Sequence, residues 1–568
     1  MTSLDYVVLV ATMLGIAVYG IWKTRRHENL SGYLKGERTQ GWATIGLSVM
    51  ATQASAITFL STPGQGYENG MGFVQNYFAM PIALIIIAAV FLPMYRHLNV
   101  YTAYEYLGRR FDSKTRLLGA GLFLLQRGLS AGITIYAPAI ILSTVMGWRL
   151  DLTILFSGIL VIIYTVSGGS ECVSITQKYQ MALIFAGMGV AFGVLIHKLT
   201  RHATLHDALT LAGSFQKMEA VDFSFDVKKR YTIWSGLFGG MFLMLSYFGT
   251  DQSQVQRYLS GSSLRESRLG LMFNAVLKIP MQFLILLTGV LVFVFYQFEQ
   301  PPLFFNQSTA KQPTLVGKET WLEAQSGQYA QLHAHKKEAI EKWLAARRAQ
   351  NPSAEKAAHK EILRIQEWSE NVRTNALAVA DPKNKSKDSD YVFITFVTHY
   401  LPHGIVGLLV AVIFAAALSS KASELNALGS TTTVDFYKHV IRKDATDLHY
   451  IAASKWFTAL WGMVALGFAL FANLAENLIQ AVNIIGSIFY GVVLGLFMVA
   501  FFLRKVGGTS VFWGAVLAQL MVFALFFTLK ISYLWYNLIG CAGCVLFSLV
   551  FQAFQSGSSS SAGREVKA

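Results

Sequence analysis

Apolar runs long enough to cross a bilayer recur along most of the chain. They lie near residues 4–22, 42–62, 74–97, 117–145, 149–168, 178–197 and 232–250, and again near 269–297, 404–436, 451–473, 477–503, 509–529 and 532–554. This gives about thirteen stretches of the ~20 residues a helix needs to span hydrocarbon. Inside lipid every backbone N–H and C=O must find a partner within the protein, so apolar runs of this length are expected as helices. The expected fold class is therefore an all-α polytopic membrane protein. A composition of 54% hydrophobic and 14% charged residues agrees.

The formal charge of +15 would fit a nucleic-acid binder. Here most Lys and Arg fall in short loops between apolar runs, where they set topology, and no nucleic-acid partner is expected. Placing the N-terminus outside puts Lys23, Arg25, Arg26, Arg109, Arg110, Lys114 and Arg116 on the cytoplasmic face. It also puts Arg257, Arg265, Arg268, Lys438, Arg442, Lys443, Arg504 and Lys505 there, while the loops 65–73 and 474–476 on the other face carry no Lys or Arg. The reading is N-terminus out and C-terminus in, in a plasma (cell inner) membrane. The run from Val7 to Trp22, followed by KTRRH, has the pattern of an uncleaved signal anchor.

With this count, five spans starting near 42 and five starting near 232 run in opposite directions, the arrangement by which many secondary transporters build a midplane site. The chain divides into a first helix and cytoplasmic loop (1–40), a first repeat with the start of a second (41–298), and an extracytoplasmic insert (299–390). The rest of the second repeat (391–505), two peripheral helices (506–555) and a linker-like tail (556–568) follow. In the insert, KKEAIEKWLAARRAQ and AEKAAHKEILRIQEWSENVRT read as two charged helices with Asn351-Pro352 as the turn between them. A solvated helical hairpin is the plain reading of the insert, and a lid or a surface for a protein contact is the sharper one.

Two spans carry polar groups at membrane depth. The stretch 404–436, GIVGLLVAVIFAAALSSKASELNALGSTTTVDF, is interrupted by Ser419, Ser420, Lys421 and Ser423. Hydrocarbon offers these groups no water, so they must meet one another, another helix or an ion. The stretch 46–72 holds Ala51, Thr52, Ala54, Ser55, Ala56 and Thr58, then Pro63, Gly64 and Gly66, where a break would release backbone carbonyls. A packed, kinked helix explains the second stretch equally well when it is taken alone. Together the two supply carbonyls and hydroxyls, the oxygen ligands that a hard cation such as sodium prefers.

Other motifs carry less. GLSAG at 128–132 fits a hydrolase nucleophile pattern but sits in an apolar helix with no Asp-His pair to serve it. Cys541 and Cys544 form a C-x-x-C inside an apolar run, which reads as small packing residues rather than a metal or redox pair. No enzyme activity and no cofactor are expected.

Four segments resemble the sodium/solute symporter family, in the branch with iodide, monocarboxylate and multivitamin symporters. They are YTAYEYLGRRFDSKTRLLG (101–119), IYAPAIILSTVMG (135–147), GTDQSQVQRYLS (249–260) and ALSSKASELNALGSTTTVDFY (417–437). The resemblance implies a LeuT-type 5+5 inverted repeat and alternating access driven by sodium, the coupling ion. It implies a sodium site made by carbonyls of Ala51, Ala54 and Ala416 with hydroxyls of Ser419 and Ser420. A second sodium site is not implied, because Gln177 in GGSECVSITQKYQ stands where some members have Asp, and Ala422 where they have a hydroxyl. Lys421 or Lys178 would then substitute for the missing ion; the plainer reading snorkels Lys421 or pairs it with Glu424. Substrate contacts are implied at Gln53, Thr58, Tyr77, Tyr247, Lys278 and Gln480.

A hexose needs many hydrogen bonds, and Thr58, Tyr77 and Met244 replace several polar contacts. A small organic solute, first a carboxylate or other anion, is therefore the leading substrate. A sugar or polyol is second, and a sodium-independent exchanger of the same fold is the closest rival mechanism. A channel would not need an occluding aromatic such as Tyr247, and a sensor would need a cytoplasmic signalling domain.

Overall fold

The computed structural model describes residues 1–23, 40–98, 100–167, 170–307, 309, 315, 317–380, 388–471 and 477–565. Arg25 and Arg26, Gly168 and Gly169, the 474–476 loop, residues 566–568 and the Cys172 side chain lie outside the described set. Among the described residues every regular element is helical. Nine helices of the described residues are long and apolar enough to cross a membrane, and Ser3–Gly15, Leu150–Val166 and Ser235–Gly249 are shorter apolar helices.

The elements that build the site are numbered here. The first is α1 (Ser3–Lys23), followed by α2 (Trp42–Gln53) and α3 (Ala56–Asn69), the two halves of one broken span. Next come α4 (Ser113–Thr134), α5 (Tyr136–Met146), α6 (Leu150–Ser167) and α7 (Ser170–Leu199). A second broken span is made by α8 (Gly240–Gly249) and α9 (Gln252–Leu259), and the long α10 (Leu264–Phe298) follows. The insert folds as α11 (Glu319–Arg348) and α12 (Pro352–Ala380). The chain then continues through α13 (Ile405–Thr431), α14 (Asp447–Phe471), α15 (Leu478–Phe502), α16 (Gly508–Thr528) and α17 (Leu534–Glu565). The last of these runs through most of the segment read from sequence as linker.

The two broken spans are those that would open the two five-helix units, as an inverted repeat requires. One end of the bundle gathers the basic loops. Arg116 pairs with Asp435 at 2.7 Å, and Arg110 donates to the carbonyls of Leu503 and Arg504. The opposite end carries the 198–230 loop and the insert, joined by Arg348 to Asp207 at 2.7 Å and by His359 to the Ser214 carbonyl at 3.2 Å.

The break in the second span is not where Pro63, Gly64 and Gly66 suggested. α2 stops at Gln53, and the Ser55 hydroxyl accepts from the Ile57 N–H at 3.3 Å to start α3, which then runs unbroken through Pro63. A side-chain cap supplies the first turn with a partner, so α3 begins upstream of the proline. The glycines serve packing instead. A Cβ on Gly289 of α10 would lie 1.9 Å from the Pro63 carbonyl oxygen, and one on Gly66 would lie 2.4 Å from the Leu286 carbonyl oxygen. Both obstacles are backbone and cannot rotate away. Gly289→Val is therefore expected to cost at least the about 1–3 kcal/mol of ordinary overpacking. The check is a lower Tm in detergent; an unchanged Tm would contradict the close α3–α10 approach.

The apolar run 404–436 also forms without a break. α13 is continuous to Thr431 and passes into a wider helical turn over Thr432–Ile441. Its hydroxyls act from an intact helix: Ser420 and Ser423 donate to carbonyls of the preceding turn, at 3.1 and 3.3 Å.

Candidate functional site

At its C-terminus α2 runs out of helical N–H donors. The last carbonyls of any helix lack intrahelical partners, and Ala51 stands in that last turn. Ala54, in the break itself, bonds back to the Met50 carbonyl at 2.5 Å. Across from α2 lies α13, where Ala416, Ser419 and Ser420 are all buried. Ser420 Oγ donates to the Ala417 carbonyl at 3.1 Å, while Ser419 Oγ has no hydrogen-bond partner. Ser419 thus offers a buried oxygen without a partner on a helix packed against α2, the kind of neutral ligand that a sodium ion binds well.

Gln177 of α7 ties these helices together. Its Oε1 accepts from Ser48 Oγ of α2 at 2.8 Å, and its Nε2 donates to Ser423 Oγ of α13 at 3.1 Å. The amide thus reaches Ser423, one position beyond Ala422. Gln177→Leu takes the acceptor from Ser48 Oγ, while Ser423 Oγ keeps its bond to the Ser419 carbonyl at 3.3 Å, so the expected cost is that of one unsatisfied hydroxyl, about 1–3 kcal/mol. A wild-type melting curve for that variant would show that the bridge contributes nothing.

Neither lysine proposed to replace an ion stands in this gap. The Lys421 ammonium is bonded to Glu424 and to the Ala131 carbonyl of α4 at 3.1 Å, which is the plainer of the two sequence readings. Lys178 lies 5.9 Å from the ring of Tyr179, whose own side is 54% exposed.

Against the break between α2 and α3 is a cavity with about 80 Å³ of open space. Gln53, Thr58, Tyr77 and Tyr247 are among the residues that line it. Two other implied contacts lie outside. Lys278 is fully buried behind Tyr77, 5.5 Å from its ring, with no hydrogen-bond partner. Gln480 is held in an amide cluster, donating to Gln65 Oε1 at 3.0 Å and accepting from Arg230 at 3.0 Å. Asn477 also donates to that Gln65 oxygen, at 2.6 Å, so the Gln480 amide is engaged within this cluster rather than at the cavity.

What sequence reasoning missed is the charge cluster on the cavity wall. Arg127 of α4 bonds Asp251, at the break between α8 and α9, and reaches Glu424 of α13 at 3.3 Å. It also donates to the Tyr490 hydroxyl at 2.8 Å, and Tyr490 donates to Asp251 at 3.0 Å. With Lys421 the cluster holds two cations and two anions, which is how charges are tolerated away from water. Arg127 Nε remains without an acceptor, and its guanidinium lies 5.5 Å from the Tyr247 ring. An arginine in the middle of the apolar run 117–145 was the available signal.

The family model described as "Sodium:solute symporter family" matches residues 33–310 and 371–518. The chain belongs to the sodium:solute symporter family. The gap in that match falls largely on the helical insert. The chain is 27% identical over 496 residues to "Sodium-coupled monocarboxylate transporter 2" of Bos taurus, covering 87% of this chain and 67% of that protein. It is 31% identical over 319 residues to the "Sodium/iodide cotransporter" of Homo sapiens, covering 55% of this chain and 49% of that one. This family member therefore spans about half to two thirds of those relatives. A solved structure of a sodium-coupled sialic acid symporter in a substrate-bound outward-open state superposes with a TM-score of 0.74 at 22% identity. It covers 97% of this chain and 98% of that one, so the two share a fold. Among the described residues no cluster of His, Cys, Asp and Glu is set to hold a metal ion. Cys541 and Cys544 are buried and free, with Cys544 against Gly495.

Proposed function

We propose that this symporter couples one sodium ion to the inward movement of a small organic anion, a carboxylate first, across a plasma (cell inner) membrane. The observation that carries the anion reading is Arg127, a buried guanidinium with a free N–H on the cavity wall. Gln53, Thr58, Tyr77 and Tyr247 surround the solute; Lys278 acts through Tyr77, and Gln480 belongs to the amide cluster with Gln65. Sodium is held by carbonyls of Ala51, Ala54 and Ala416 and hydroxyls of Ser419 and Ser420, bridging α2 and α13. The topology is about thirteen spans with the N-terminus out and the C-terminus in. The names of the monocarboxylate and iodide relatives agree with an anionic cargo.

Charge counting gives a distinctive test. Each charge moved is worth about 2.3 kcal/mol per 100 mV, but one sodium with one monoanion moves no net charge. In proteoliposomes, labelled pyruvate is expected to accumulate on an inward sodium gradient and not in choline. Its rate should not change when a potassium diffusion potential is imposed. Equal uptake in choline would favour the sodium-independent exchanger, and glucose uptake in place of pyruvate would favour the polyol reading.

A further inference from the structure

A second cavity, of about 580 Å³, lies between the insert and the outer end of α10, well within the size range of small-molecule sites. Its walls are aromatic on both sides. Tyr67 meets Phe293 edge-on at 5.6 Å and Tyr296 at 6.4 Å, and Tyr329 of α11 lines the insert side. Two ammonium groups reach this space. Lys336 of α11 is buried and donates to Gln366 Oε1 at 3.0 Å; Lys217 donates to the Glu68 carbonyl and lies 4.8 Å from the Phe293 ring.

Of the three carboxylates that line the cavity, two are engaged or exposed. Asp388 pairs with Arg373, and Glu370 is exposed and accepts from Gln366 Nε2 at 2.7 Å. The third, Glu68, is half-buried; its backbone carbonyl accepts from Lys217, and its carboxylate favours the charged form of that ammonium. Two further polar atoms of lining residues, Tyr296 OH and Gln297 Oε1, are buried without partners. Burial pulls Lys336 down to about 8, with Glu370 offsetting it in part, so the ammonium is still mostly charged at neutral pH. Buried polar groups ordinarily find partners, so a cavity that leaves these unmet is shaped for a guest.

We propose that this cavity is a second binding site, independent of the central one, for a small organic anion with a flat apolar body. Such a ligand stacks on the tyrosines and places its anionic group between Lys217 and Lys336. Ring stacking and a charge-assisted hydrogen bond then act on opposite ends of one molecule. The site stands on the insert, so it does not depend on the sodium cage or on the central cavity.

The test uses the purified full chain in choline, without sodium, titrated calorimetrically with benzoate and with the neutral benzamide. Saturable benzoate binding is expected, at least 10-fold tighter than benzamide. Lys336→Met should weaken it at least 10-fold, and Lys336→Arg should largely restore it. Ser369→Phe fills the cavity while keeping both lysines, and should abolish binding too. No saturable benzoate binding, equal binding of benzamide, or an unchanged Kd in either Lys336→Met or Ser369→Phe would overturn the proposal. The pyruvate assay in sodium reads the central site alone, so either reading can fail without the other.

Discussion

Arg127→Met is expected to be the most damaging single substitution in the central site. It removes the cation that holds Asp251 and part of the charge that holds Glu424, and it strips the Tyr490 hydroxyl of its donor. Removing one partner of a buried pair typically costs about 3–5 kcal/mol, because an uncompensated charge is left away from water. That is a large share of the stability of an ordinary domain. The expected result is poor recovery of monodisperse protein and no measurable uptake from what is recovered.

Compensation distinguishes a structural role from a role in binding. Arg127→Met combined with Asp251→Asn removes one charge of each sign, leaving Glu424 with Lys421 and Thr134 as partners. The double variant should regain folding, measured as Tm and yield, to within about 1–2 kcal/mol of the wild type. Uptake of the anion should stay lost, because the donor on the cavity wall is gone. If the double variant transports pyruvate at the wild-type rate, Arg127 only balances charge and does not meet the solute.

The fold was legible because hydropathy acts residue by residue. A run such as 509–529 has no soluble alternative, and α16 occupies Gly508–Thr528. Breaks were less legible. Pro63 and Gly64 drew attention, but α3 keeps them inside a helix, where the glycines admit backbone from α10 and from Ser389. The true break depends on a serine cap at Ser55, which looks like any small residue in such a stretch. Among the residues that the resemblance implied, Thr58, Tyr77 and Tyr247 line one cavity. Gln480 does not, since a partner distant in sequence, Gln65, claims its amide. Asp251 lay inside a quoted motif, yet only the three-dimensional meeting with Arg127 and Tyr490 gives it a role. Sequence position does not reveal which buried charges will face one another.

Ser419→Ala with Ser420→Ala is expected to remove sodium coupling while leaving the folded bundle intact. Both hydroxyls are buried on α13, and neither bonds another helix: Ser420 donates to its own helix and Ser419 to nothing. Their loss therefore deletes little internal structure. An empty, partnerless hydroxyl such as Ser419 costs stability where it is, so the alanine protein should melt at or slightly above the wild-type temperature in choline. In sodium the order should reverse. With a sodium Kd of about 10 mM, 100 mM sodium would stabilise the wild type by about 1.4 kcal/mol, and the variant by nothing. Sodium-driven pyruvate uptake should fall to the choline background. Full sodium stabilisation in the double variant would remove both hydroxyls from the ion site and leave only carbonyls of α2 and α13 as ligands. A loss of sodium stabilisation with Gln177→Leu alone would instead show that the α2–α13 bridge, more than the hydroxyls, holds the ligands at bonding distance.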